Sequence, residues 1–288
     1  MSKEFEINAS LNAMSDAFPI RFSHNRTHDN IDKHVLHINN YVEIYVFVSG
    51  DHRYIVENSV YDLKRGDIVI INPREVHKAL PLGEGMYERF YFLVDENAFG
   101  TMHLDPLRKI LNKPKNMGNL VSFDEKTRKR VLEILYEISG CFSDGRNDQL
   151  VALGCFMRIL AEIERYFENS RVSENNMTHA PELLKKILAY VAEHASEIES
   201  TTEISASLGL SPQYLSSYFS KYVGTPLKTY IQAKKIAYAK DLLDRGADVT
   251  SACYECGFND CSYFIKIFKK YVFATFINCI KKNCFFVI

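Results

Sequence analysis

Glu203-Ile-Ser-Ala-Ser-Leu-Gly-Leu-Ser211 and Ala252-Cys-Tyr-Glu-Cys-Gly-Phe-Asn-Asp260 are two copies of one pattern, and they decide how the C-terminal part of the chain folds. Each is a short helix, a glycine and a polar residue suited to start a new helix. A second helix follows in both: Pro212, Tyr214, Leu215, Tyr218 and Phe219 in the first copy, Ser262, Tyr263, Phe264, Ile267 and Phe268 in the second. Phe219-Ser-Lys-Tyr-Val223 returns as Phe268-Lys-Lys-Tyr-Val272. Two short helices crossing at a large angle need a φ > 0 residue between them, which glycine adopts without strain. Gly209 and Gly257 stand at that point. Ser205 and Cys253 are small where the first helix must approach the second. Leu215 with Phe219, and Phe264 with Phe268, give each second helix one buried face. The opposite face is left for a DNA major groove, which is wide enough to admit a helix.

Charge follows the same division. The 288 residues sum to −1, yet residues 211–288 carry 11 Lys and Arg against 5 Asp and Glu, while residues 1–180 carry 22 against 26. Positive charge gathered at one end is what a phosphate-contacting surface requires. The apolar share of 47% and charged share of 25% are ordinary for a soluble globular protein, and the length allows two domains. Seven cysteines, an odd number without framework spacing, fit a reducing compartment. The opening Met1-Ser-Lys-Glu-Phe-Glu6 lacks the apolar core of a signal peptide. No run approaches the roughly 18 apolar residues of a membrane helix. A cytoplasmic protein is expected.

Toward the N-terminus the pattern changes to strands. Val42 to Val48 is apolar and β-branched, and Gly50-Asp51 ends it. Arg53 to Glu57, Val60 to Leu63, Ile68 to Ile71 and Met86 to Val94 follow, with Lys64-Arg65-Gly66-Asp67 as a turn. Such spacing predicts a β-sandwich or small barrel over residues 1–104. Alternation puts Glu43, Tyr45 and Phe47 on one face of the first strand and Ile44, Val46 and Val48 on the other. Residues 105–169 read as helical. Val131, Ile134, Leu135 and Ile138 make one apolar stripe. Leu153, Phe156, Met157, Leu160, Ile163 and Phe167 make another. These stripes either pack on the β domain or form a dimer seam. Residues 170–180 are polar and aperiodic, a linker, and Pro181 suits the first turn of a new helix.

The repeat resembles the C-terminal domain of the AraC/XylS family of transcription regulators. The resemblance rests on Gly257-Phe258, Asp260, Ser262-Tyr263-Phe264 and Phe268-Lys269-Lys270. Their first-unit counterparts are Leu208-Gly209, Ser211, Tyr214-Leu215, Phe219, Gly224 and Tyr230, and Ile236, Ala239 and Leu242-Leu243 match the helix joining the units. It implies an all-α domain over 181–288 with seven helices and two helix-turn-helix units on double-stranded promoter or operator DNA. By position it gives Gln213, Ser216 and Ser217 as groove-facing in the first unit, and Asp260, Cys261, Ser262, Ile265 and Lys266 in the second. Gln213 suits adenine, and Lys266 suits guanine or a phosphate. Lys221, Lys269 and Lys270 suit the phosphate backbone. Three positions depart from the family. Lys235 stands where an arginine is usual, Cys261 is an unusual groove residue, and the chain ends atypically after Val272. Phe273, Thr275-Phe276 and Cys279-Ile280 replace a glycine, a Thr-Pro-like pair and a Tyr-Arg pair. A poorly packed final segment is expected. Cys253 and Cys256, spaced like a metal or redox pair, are expected to face the helix-turn-helix core.

His37, Asn39, Glu43, Gly50, Gly66-Asp67, Pro73 and His77 resemble the two motifs of the cupin fold, with Asn39 replacing the second histidine of the first motif. The whole is thus expected to be an α+β two-domain protein: a cupin-like β-barrel with accessory helices, then the helical DNA-binding domain. The resemblance implies a small-molecule effector, a sugar or related metabolite, bound by His37, Glu43, Tyr45, His77 and Arg89. No cofactor and no bound metal are expected, although three of the four cupin ligands remain. A homodimer and contact with RNA polymerase follow from the same resemblance. The alternatives are a constitutive dimeric regulator without effector and a metal-cupin enzyme fused to a DNA-binding domain. No nucleophile–base pair, phosphate loop or dinucleotide fingerprint supports other chemistry.

Overall fold

In the computed structural model the described residues are 4–11, 20–28, 36–95, 118–169 and 180–280. At Ser10 and at residues 272–280 only the backbone is described. The chain begins with β1 (Phe5–Ser10), β2 (Ile20–His28), β3 (Val42–Ser49), β4 (His52–Val56), β5 (Ser59–Asp62), β6 (Ile68–Ile71), β7 (His77–Pro81), β8 (Met86–Val94) and β9 (Leu120–Val121). One antiparallel sheet runs β1-β2-β8-β3-β6-β9 and a second runs β5-β4-β7. Their facing sides enclose Tyr45, Phe47, Tyr54, Val56, Tyr61, Val69, Ile71, Ala79 and Tyr87.

Strand β3 shows why the alternation holds. Its β-branched and aromatic residues fit a strand covered on both faces. Tyr45 and Phe47 point between the sheets, while Ile44, Val46 and Val48 point outward into a separate core. That outer core is covered by α1 (Glu125–Gly140) and α2 (Gln149–Asn169). Phe92 of β8 meets Phe156 of α2 at 4.6 Å between ring centroids. Burying a side chain of this size contributes about 1.5–3 kcal/mol. Asp124 caps α1 by accepting a hydrogen bond from the Thr127 amide at 2.9 Å.

The stripes on α1 and α2 are therefore used against the chain's own sheet. This corrects the dimer-seam reading of those residues. The hairpin's exposed apolar residues are others, Leu150 and Val151 among them. Four strands go beyond the five read from sequence. β1 and β2 are polar strands, and β2 buries Ser23, His24 and Asn25 by pairing them. His24 Nδ1 lies 2.8 Å from Ser139 Oγ, and its Nε2 lies 2.9 Å from Glu88 Oε1. β7 is broken as a pattern by Lys78 and Pro81, and β9 has only two residues.

The C-terminal region holds α3 (Glu182–His194), α4 (Thr201–Ser207), α5 (Pro212–Val223), α6 (Leu227–Asp244), α7 (Val249–Glu255) and α8 (Cys261–Ile280). These are six helices among the described residues, where the family resemblance implies seven. The physical reason lies at Phe273. The position lacks the glycine that would take a left-handed cap, and α8 runs on through it. The packing expected to fail beyond Val272 lies outside the described side chains. Of the linker expected at 170–180, residues 170–179 lie outside the described residues. Among the described residues no helix is long and apolar enough to cross a membrane.

The outer face of the β5-β4-β7 sheet does not meet solvent. Ile55, Val60, Val76 and Leu80, with Leu36 and Ile38, share one buried cluster with α3 to α8. The joining helix α6 is buried at Tyr230, Ile231, Ala233, Lys235 and Ile236, on more than one side.

Candidate functional site

Each helix-turn-helix unit is set by local chemistry. In the first, Ser200 and Glu203 form a reciprocal cap on α4. Gly209 turns the chain at φ +66°, and Ser211 Oγ accepts from the Tyr214 amide at 3.2 Å to start α5. Leu215, Phe219 and Val223 are buried, and Gly224 ends the helix in the left-handed conformation. In the second, Asp248 caps α7 through the amides of Thr250 and Ser251. Asp260 Oδ1 accepts from the amides of Ser262 and Tyr263, at 2.7 and 3.0 Å, and starts α8. Ser205 and Cys253 are buried where the helices approach.

Gly257 is the tightest point. Its φ is +79°, and a Cβ there would run into the backbone oxygen of Ser196. Lys235 Nζ binds this crossing by donating to the carbonyls of Ile198, at 2.9 Å, and Gly257, at 2.7 Å. An ammonium thus occupies the family's arginine position and still joins α6 to both units. Its charge is matched by carbonyl dipoles and by the Phe258 ring at 5.8 Å.

The residues expected to read DNA lie on the uncovered side. Gln213, Ser216, Ser217 and Lys221 of α5 are exposed, as are Ser262, Ile265, Lys266, Lys269 and Lys270 of α8. Cys261 is half-buried at the start of α8. Asp260 is exposed, but one carboxylate oxygen is committed to its cap, so capping explains this residue better than base contact does. Cys253 and Cys256 are buried in the core, as expected. Burial pushes their thiols up to about 12 and about 11, which suits neither nucleophile nor metal ligand.

The second candidate site lies inside the barrel. His77 opens β7, and His37 forms a β-bridge to it through hydrogen bonds of 3.1 and 3.0 Å. Glu43 reaches in from β3. Glu43 Oε2 lies 3.2 Å from His77 Nε2 and accepts from Asn39 Nδ2 at 3.0 Å, while Tyr54 OH donates to Oε1 at 3.4 Å. Asn39, in the place of a cupin histidine, therefore holds the carboxylate. Beyond them Tyr45 OH lies 2.6 Å from Tyr87 OH. Arg89 stands over the rings of Tyr87 and Tyr91, at 4.8 and 5.8 Å. The site thus brings together all five expected residues, His37, Glu43, Tyr45, His77 and Arg89, around one barrel interior. His77 is the first residue of β7.

Burial pushes the Glu43 carboxyl up, but the hydrogen bond and charge of His77, helped by His37 and Arg89, outweigh it and hold the carboxyl below the ordinary range. Burial pushes His77 down, and the Glu43 hydrogen bond and charge outweigh that and raise it. The stability linked to His77 is present below its unfolded value and lost as pH rises through the raised folded value. That linked to Glu43 is present above its unfolded value and lost as pH falls through the lowered folded value. The difference in unfolding free energy between the wild type and Glu43→Gln is therefore expected to peak in mildly acidic solution and shrink above the His77 transition. Urea titrations at several pH values measure it, and a pH-independent difference would count against the ion pair.

Ligand atoms of His37, Glu43 and His77 lie within 4.8 Å of one another, so this trio could hold a divalent cation. The His77 Nδ1 contact to the Glu75 carbonyl at 2.8 Å leaves Nε2 facing inward. In the geometry described, however, Nε2 and the carboxylate already satisfy each other.

Sequence reading missed a third set of residues, which joins the two regions. Lys78 Nζ donates to the Gly224 carbonyl at 2.6 Å and to Thr225 Oγ1 at 3.1 Å. Arg74 pairs with Asp241 at 3.0 Å and Asp244 at 2.7 Å. Lys234 pairs with Glu57, and Tyr230 OH donates to the Glu57 carbonyl at 2.6 Å. No local pattern in the sequence marks these pairs, whose members lie more than 140 positions apart.

Comparison with known proteins bears on both regions. An AraC-like ligand binding domain model matches residues 22–150, and a helix-turn-helix domain model matches residues 204–277. The uncharacterized HTH-type transcriptional regulator YbfI of Bacillus subtilis is 24% identical over 230 residues, 78% of this chain and 80% of YbfI. The regulatory protein PocR of Salmonella typhimurium is 29% identical over 109 residues, and the match spans 36% of each chain. Among solved structures, ToxT of Vibrio cholerae aligns over 87% of this chain and 94% of its own, at 15% identity and a TM-score of 0.37. With a matched AraC-like ligand binding domain and a matched helix-turn-helix domain, the chain is a DNA-binding transcription regulator built from these two parts.

Proposed function

We propose that this regulator responds to a small polar effector, a sugar or related metabolite, held in the barrel by His37, Glu43, Tyr45, His77 and Arg89. The observation that carries this reading is the inward convergence of these donors and acceptors in a barrel interior that also holds the rings of Tyr54, Tyr61 and Tyr87 among aliphatic side chains. Such a set matches hydroxyl-bearing ligands, with rings to stack on an apolar sugar face and polar groups to fix orientation. Gln213, Ser216, Ser217, Ser262, Ile265 and Lys266 read the operator, and Lys221, Lys269 and Lys270 hold its phosphates. The regulator works in the cytoplasm as a homodimer and engages RNA polymerase at its promoter.

A second reading, a constitutive regulator without effector, is favoured by one observation. The inner polar groups already satisfy one another, as in the Glu43–His77 and Tyr45–Tyr87 contacts. Titration calorimetry across a panel of sugars separates the two. Saturable binding to the wild type, weakened at least about tenfold by Arg89→Met or Glu43→Gln, is expected from the loss of a charge-assisted hydrogen bond. Absence of heat across the panel, with no change in DNA binding, leaves the constitutive reading.

A further inference from the structure

The strand that carries His77 has two faces, and they serve different regions of the molecule. His77 points into the barrel site. Its neighbours Val76 and Lys78 point the other way, as strand alternation requires. Val76 and Leu80 join the apolar cluster of the helical region. Lys78 goes further, because its ammonium donates to the carbonyl of Gly224, the residue that ends α5. A cation at a helix C-terminus meets the negative end of the helix dipole and satisfies a carbonyl that the helix leaves unpaired. The β domain thus supplies a cap for the first recognition helix. Gly224 itself leaves no room at this contact, since a Cβ there would overlap Leu80 of β7.

A second contact fixes the same region from the adjacent hairpin. Glu57, at the turn between β4 and β5, has φ +52°, a left-handed conformation that costs a non-glycine residue of this kind free energy. Four bonds hold it. Its amide donates to the Val76 carbonyl at 2.7 Å, and its carboxylate accepts from the Val76 amide at 2.6 Å. Its carbonyl accepts from Tyr230 OH, and its carboxylate pairs with Lys234, both on α6. Val76, one residue from His77, is therefore tied through Glu57 to the helix that joins the two units.

We propose that Lys78 and Glu57 are positioning residues for DNA recognition. Through them β7 sets the end of the first recognition helix and the seat of the joining helix, so that a change at His77 in the barrel reaches α5 without touching it. The proposal takes from the effector reading only the identity of the barrel interior as the sensing site. Its test uses no ligand, so the two fail separately.

The test is hydrogen exchange of the full chain, followed by mass spectrometry. Glu43→Gln alters the partner of His77 from inside the barrel, away from the helical region. It is expected to speed exchange in residues 222–231 by about tenfold, the effect of weakening one charge-assisted hydrogen bond on a local opening. Residues 249–271, in the second unit, keep the wild-type rate. In a Lys78→Met background, where 222–231 already exchange faster, Glu43→Gln adds clearly less there than in the wild type, because only the Glu57 route to Tyr230 remains. If Glu43→Gln does not fold, His77→Gln takes its place in the same comparison. Three results overturn the proposal: no change in 222–231, an equal change with and without Lys78, or a change that extends equally to 249–271. The last would mean general loosening, with no transmission through β7.

Discussion

Gly257→Ala is expected to remove specific DNA binding and to cost more than about 3 kcal/mol of stability, because a positive φ and a backbone overlap act at one residue. The φ there is +79°, the new methyl would run into the Ser196 backbone oxygen, and it would stand 2.9 Å from Lys235 Nζ. None of these neighbours is the free end of a flexible side chain in open space. Ser196 belongs to the turn before α4, and Lys235 is held by two carbonyls. Relief therefore requires the second unit to move away from the first, which changes the spacing of the two recognition helices. Gly209→Ala is the matched control. It has a φ of +66° but nothing within 4 Å, so only the backbone penalty of about 1–2 kcal/mol applies. Urea unfolding of both variants, with fluorescence anisotropy on operator DNA, measures the contrast. Equal losses at the two glycines would mean that the close approach at Ser196 has no energetic consequence.

The second large effect is expected from Lys221→Ala, Lys269→Ala and Lys270→Ala combined. All three side chains are exposed on the recognition helices. As phosphate contacts they carry no sequence information, so their removal weakens binding to every duplex alike, on the order of ten- to a hundredfold. The dependence of log K on log salt becomes shallower by about 0.9 for each phosphate that is no longer neutralised. Gln213→Ala, by contrast, is expected to relax preference at one base pair and leave the salt slope unchanged. A triple variant with the wild-type slope would place these lysines away from DNA. The charge surplus of the C-terminal region is less free to meet phosphates than its count suggests, since Lys234 is paired with Glu57 and Lys235 with backbone carbonyls.

The helix-turn-helix units were legible in the sequence because each of their constraints is local. A glycine at the turn, a serine or aspartate at the cap and an aromatic every fourth residue are fixed within some twenty positions. The five strands rich in β-branched and aromatic residues and bounded by turn signals were legible for the same reason. β2 was not, because its buried Ser23, His24 and Asn25 look like surface residues until distant partners such as Ser139 and Glu88 are in place. The barrel site was legible as a set of residues through the resemblance to the cupin motifs, but the role of Asn39 as a hydrogen-bond donor to Glu43 emerged only from geometry. The contacts of Arg74, Lys78 and Glu57 with α5 and α6 were hidden entirely. They join residues more than 140 positions apart, as Lys78 to Gly224 shows, and no local pattern encodes such a pair.

The most direct measurement is anisotropy of the full chain on the region upstream of its neighbouring genes, compared with a scrambled duplex of equal length at about 0.15 M salt. The expected result is binding to the upstream duplex at least about a thousandfold tighter than to the scrambled one, abolished in Gly257→Ala. Equal affinity for the two duplexes would contradict the assignment of α5 and α8 as helices that read DNA sequence.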